Sequence, residues 1–253
     1  MSRVLVRLFS AVLLTSVCLL AQGQSDPPAT PAGPEAEAAP SGAIAPGSVQ
    51  GAEPPGGKRV FGVLPNYRTA DASLEGTVLT HRQKLAIASK DSFDYPLLAL
   101  GGAFAALGQW TDQDPSFGQG MKGYAHRWVT NYADQAIGNM FTEGVFPVLL
   151  SEDPRYFRRG EGSKKGRALY AATRVLITHK DSGGTRFNFS EWVGNAGAVA
   201  ISQAYYPENR TPVDAFEKLL EQVGTDATSQ VLKEFWPDIK RRWFSKKASP
   251  GKS

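Results

Sequence analysis

DPSFGQGMKGYAHRWVTNYADQAIGNM, residues 114–140, is the stretch whose reading decides the fold. Phe117, Met121, Tyr124, Trp128, Tyr132, Ala136 and Met140 recur every three or four positions, so an α-helix gathers them onto one stripe. A strand would scatter the same residues over both of its faces. Asp114-Pro115 supplies the expected start.

The same period continues on both sides. Upstream, Thr80 with Gln83 forms a capping box for a helix to about Lys90, and Asp94 is expected to cap a second helix through LLALGGAFAALGQW to Trp110, with Pro96 in its first turn. Downstream, Asn188 and Glu191 open a helix through WVGNAGAVAISQAYY that Pro207 ends. Thr211-Pro212 starts another, with Val213, Phe216, Leu219, Leu220 and Val223 on one face and Gly224 as its stop. Thr225 is expected to cap a last helix carrying Val231, Leu232, Phe235, Trp236 and Ile239, kinked by Pro237. Alternating runs are scarce, so the expected class is all-α, a single domain of about six helices, two of them rich in small residues. Ser151 to Gly166 is expected as the longest irregular piece, and Thr178 to Ser190 as a turn around Gly183 and Gly184.

Residues 1–23 have the order of a cleavable signal peptide: Arg3 and Arg7, then an apolar run from Leu8 to Leu20, then Ala21-Gln22-Gly23. That run is shorter than the roughly 20 residues a membrane-crossing helix needs. Cys18, the only cysteine, is preceded by Val17 where a lipobox requires a small residue, so it is expected to leave with the signal. The mature chain then has no thiol for a disulfide, a zinc-thiolate site or a Cys nucleophile. Residues 24–57 are Pro, Ala, Gly and Ser with almost no large apolar side chain, the composition of a disordered linker. The helical domain is expected over 58–245 and a basic disordered tail over 246–253.

The formal charge of +4 falls to +2 without Arg3 and Arg7, too small a balance to imply nucleic acid. The cations are uneven: Arg155, Arg158, Arg159, Lys164, Lys165, Arg167, Arg174 and Lys180 face only Glu161 in their segment. Either they form a solvated basic surface or they meet an anionic one, such as lipid headgroups or an envelope polymer.

Gly101, Gly102, Ala103, Ala105 and Ala106 in one helix, and Gly194, Gly197, Ala198 and Ser202 in another, leave little side chain between backbones. Such helices pack closely in a soluble core, against a membrane, or against a second copy of the chain. Phe93, Tyr95, Trp110, Trp192, Tyr205 and Tyr206 flank them as an interfacial belt would. A buried or re-entrant hairpin is expected rather than a full crossing.

Catalytic candidates are Glu143, Glu152, Asp153 and His126. His126, Thr130 and Asp134 share a polar line, but eight residues place His126 and Asp134 about 12 Å apart along a helix, too far for a dyad. Arg155, Arg158, Arg174 and Arg186 are the candidate ligand-binding residues, as one wall of an anion or glycan site. His81, His126 and His179 lack partners at metal-ligand spacing, so no metal and no cofactor are expected.

FGVLPNYRT (61–69), LTHRQKLAIASKDSFD (79–94), SEDPRYFRRG (151–160) and FNFSEWVGNAGAVAISQAYYP (187–207) together resemble an uncharacterised group of bacterial exported proteins. The resemblance implies one domain behind a variable tether and carries no activity. The expectation is an exported envelope protein at the periplasm or outer membrane, binding or structural in role. The alternative is an envelope hydrolase acting on a glycan or lipid.

Overall fold

The computed structural model describes residues 54–244 apart from 56, 63, 208 and 209; the expected signal, most of the expected linker and the tail lie outside the described residues. In chain order the elements are β1 (Arg59–Val60), β2 (Leu64–Pro65), β3 (Thr69–Asp71), α1 (His81–Ser92), α2 (Tyr95–Trp110) and α3 (Gly120–Asn139). A π-helical turn (Met140–Val145) joins α3 to α4 (Phe146–Leu150) without a break. There follow β4 (Glu152–Asp153), β5 (Tyr156–Arg158), α5 (Lys164–Thr173), β6 (Ile177–Lys180), β7 (Thr185–Phe187), α6 (Phe189–Ser202) and α7 (Pro212–Phe244).

The protein is mostly helical, and strands qualify the all-α expectation. β4, β6 and β7 form an antiparallel sheet, β3 lies parallel to β5, and β1 pairs with β2. Each strand is two to four residues long, too short for an alternating pattern to register in the sequence. The stretch from Ser151 to Gly166, expected to be irregular, therefore holds β4 and β5. The predicted turn at Gly183 and Gly184 is a hairpin between β6 and β7, with both glycines at positive φ (+91° and +74°).

The Thr80–Gln83 capping box forms in both directions, and the Asn188 side chain accepts from the Glu191 amide. Asp94 stands at the start of α2 but makes no cap bond, because Arg59 takes both of its oxygens at 2.7 and 2.6 Å. Asp114-Pro115 opens a 3-10 turn, and α3 proper begins at Gly120. The two C-terminal helices expected on either side of Gly224 are one continuous α7, with Gly224 and Pro237 inside it. A glycine ends a helix by adopting the left-handed conformation, and Gly224 does not.

Small residues set the packing. The indole Nε1 of Trp128 donates to the Leu98 carbonyl at 2.8 Å and the Tyr124 hydroxyl to the Gly102 carbonyl at 3.2 Å, so α3 grips the backbone of α2. Gly101 and Gly102 leave room for these rings; a Cβ on Gly102 would lie 3.1 Å from the Tyr124 oxygen. Arg127, almost fully buried, closes the turn between the two helices by donating to the carbonyls of Gln113, Asp114 and Gly118. On the opposite side α6 meets the π-helical turn, where a Cβ on Gly194 would sit 2.9 Å from Thr142 Cγ2 and 3.0 Å from the Thr142 amide nitrogen. Backbone cannot move aside as a flexible side-chain tip can. Gly194→Ala should therefore lower the unfolding free energy by about 1–3 kcal/mol, read as a reduced urea midpoint at unchanged slope.

Candidate functional site

Two features stand apart from ordinary core packing. The first is a charged interior. Arg68, between β2 and β3, lies 3.2 Å from Glu143 of the π-helical turn, both buried. Asp91 of α1 accepts from the Tyr67 amide at 3.2 Å and also hydrogen-bonds the Glu143 carboxyl. Glu191 of α6 hydrogen-bonds Asp226 of α7, and Asn195 donates to both carboxyls at 3.2 Å. Lys233, one to two turns further along α7, is buried within the field of Arg68, Asp91, Glu143 and Asp226.

Two carboxyl groups cannot hydrogen-bond each other without a proton between them. Oδ2 of Asp91 and Oε2 of Glu143 are buried and meet no donor of the protein. Burial first, and Asp91 second, holds Glu143 well above the usual carboxyl range; burial and then Asp226 do the same for Glu191. Burial alone would pull Arg68 down, but Glu143, Glu191 and Asp226 outweigh it and keep the guanidinium charged. Burial, and then the charge of Arg68, depresses Lys233.

The second feature is an exposed apolar surface. α2 contains no charged residue, and its outer side presents Tyr95, Leu98, Phe104, Leu107 and Trp110 to solvent, with Trp110 83% and Phe104 52% exposed. Phe93 just before it and Met121 on α3 are also exposed. No helix among the described residues is long and apolar enough to cross a membrane.

The sequence candidates do not converge on one site. Glu143 belongs to the charged interior. Glu152 is buried between Arg186 at 2.7 Å and the Ser190 amide at 2.8 Å. Asp153 is gripped by Arg155, whose guanidinium also reaches Thr77. Arg158 binds Asp238 and the Glu234 carbonyl, and Arg174 lies 4.5 Å over the Tyr170 ring. His126 stacks on Phe117 at 3.9 Å, while Asp134 is held by Lys218 and Tyr205. Glu152 and Arg186 form one pair, and Asp153, Arg155 and Arg174 come together separately, around a small cavity beside Ser190 and Glu191. No group of three or more His, Cys, Asp or Glu side chains among the described residues is placed to hold a metal ion.

Spacing along the chain gives no sign of Arg68, Asp91, Asp226 or Lys233, and it shows Glu191 only as a cap residue and a polar interruption of its helix. One signal was present: Glu191, Asn195, Ala198 and Ser202 share one face of α6, so an acid sits in line with the small residues that demand close packing. No protein-family model matches the chain, and comparison with curated proteins and with solved structures likewise yields no match.

The retained protons tie stability to pH. The folded chain binds protons that the unfolded chain releases above about pH 4.5, so the contribution of Glu143 and Glu191 is complete below that value and is lost as pH rises towards their folded values. Asp238 has the opposite sign: burial raises it, but Arg167 and Arg241 outweigh burial and hold it low, so its contribution disappears in acid. The two raised carboxyls should therefore lower the urea midpoint between pH 5 and pH 8, against the opposite slope that the depressed Lys233 contributes as pH rises towards 10.5. Glu143→Gln and Glu191→Gln, which keep the neutral shape, should each flatten that fall, by up to about 1.4 kcal/mol per pH unit.

Proposed function

We propose that this is an exported component of a bacterial envelope that acts by binding, laying the outer face of α2 on a membrane surface from the periplasmic side. The observation that carries the reading is that face. An uncharged helix of 16 residues covers about 24 Å, too short to span but long enough to lie in the headgroup region. Its ends carry Tyr95 and Trp110, 69% and 83% exposed, and their rings suit a boundary that is apolar on one side and wet on the other. The inner side is clamped by Trp128, Tyr124 and Arg127, so the helix meets lipid as part of a folded domain.

The glycines belong to the inner packing, which leaves the large side chains for the outside. That division suits a surface built for contact, since apolar groups left in water find no compensating partner. Glu152 and Asp153, the acids a hydrolase would use, are buried and occupied by arginines, so the reading favours binding over turnover.

Flotation with phosphatidylethanolamine–phosphatidylglycerol vesicles tests this. The protein should rise with the vesicles, and the double variant Phe104→Asp, Trp110→Asp should lose about a hundredfold in partition while keeping its circular dichroism. Wild type that stays at the bottom of the gradient overturns the reading. Should it instead sediment as a dimer that the double variant dissociates, the face would belong to a second copy of the chain.

A further inference from the structure

The small cavity beside Glu191 lies apart from the apolar face and has chemistry of its own. Arg68, Arg155, Arg174, Ser190 and Gln230 contribute to its walls, together with two acids, Asp153 and Glu191, the second held well above the usual carboxyl range by burial and then by Asp226. Four buried polar atoms of these residues have no hydrogen-bond partner: Arg68 Nε, Arg174 Nε, Ser190 Oγ and Gln230 Oε1. Ser190 and Gln230 are only 2% and 3% exposed, so bulk water does not relieve them. Three of the four groups can donate, and the Gln230 amide turned over presents its NH2 as a fourth donor.

Charge is unbalanced in the same direction. Arg68 is matched by Glu143, Arg155 by Asp153, and His179 by Glu75. Arg174 has the Tyr170 ring at 4.5 Å and no carboxylate among the ion pairs of the described residues. Arg174 is half-buried with its Nε out of water, and that N–H, a donating hydroxyl and a second, buried guanidinium around one void are a setting for negative charge.

Size then selects the occupant. The void has about 20 Å³ of room, close to what one water needs. Room of that size takes a water or a monatomic ion directly. A water fits but accepts from at most two of these donors, and it brings Arg174 no counter-charge.

We infer that this cavity is a binding site for a monatomic anion, with chloride as its ordinary occupant, held by Arg68, Arg174 and Ser190. The ion neutralises Arg174 and joins the end of α5 and the β2–β3 connection to the start of α6.

Thermal unfolding of the full chain at constant ionic strength provides the first test, with sodium gluconate replaced stepwise by sodium chloride. Chloride should raise Tm saturably, by about 3 °C at tenfold excess over its Kd, and Arg174→Gln should remove that rise. A Tm that is the same in both salts, or that climbs without saturating, overturns the inference. Should Arg174→Gln fail to fold, wild-type crystals soaked in bromide decide the matter. An anomalous peak among Arg68, Arg174 and Ser190 supports the site. Peaks confined to the protein surface mean an adventitious ion only, and no peak in the cavity leaves water as its occupant; either result overturns the inference.

Discussion

Arg68, Asp91, Glu143, Glu191 and Lys233 are buried together, with Asp226 half-buried at their side, and charge that is out of water has to be matched where it lies. The match draws on the connection before β3, on α1, the π-helical turn, α6 and α7, so these elements have little freedom to slide past one another. Glu143 reaches Arg68 and Asp91 from within a π-helical turn, where the chain departs from regular α-helical spacing. Losing any one partner would leave an uncompensated charge inside, at a cost of about 3–5 kcal/mol. The arrangement therefore specifies alignment more than it adds stability, because desolvation offsets much of the attraction it contains.

The short strands are attached to the helices by the same kind of contact. Glu234 of α7 accepts from the Tyr156 hydroxyl, the Arg167 guanidinium and the amides of Arg159 and Gly160. Lys84 of α1, wholly buried, donates to the carbonyls of Pro147 and Glu152 and to Asp181. Much of the basic segment that reads as a charged surface is thus turned inward: Arg155, Arg158 and Arg167 are spent on carboxylates and carbonyls of the protein itself. What α2 leaves outside is apolar instead, and it is the feature on which the proposed membrane contact rests.

Local chemistry made several elements legible in the sequence. The Thr80–Gln83 box, the Asn188 cap and the stripe from Tyr124 to Ala136 act over three or four residues, so spacing alone determined them. The small residues of α2 and α6 announced close packing in the same way, and Glu143 was visible only as one of several candidate acids. Only the tertiary structure decided which carboxyls meet. Asp91 with Glu143, and Glu191 with Asp226, are remote along the chain, and Glu143 and Glu191 are held above the usual carboxyl range because burial beside a second carboxyl makes their negative charge costly. The two-residue and three-residue strands, and the continuity of α7 through Gly224, were likewise decided by partners distant in sequence, since neither a strand that short nor a helical glycine carries a local signal of its own.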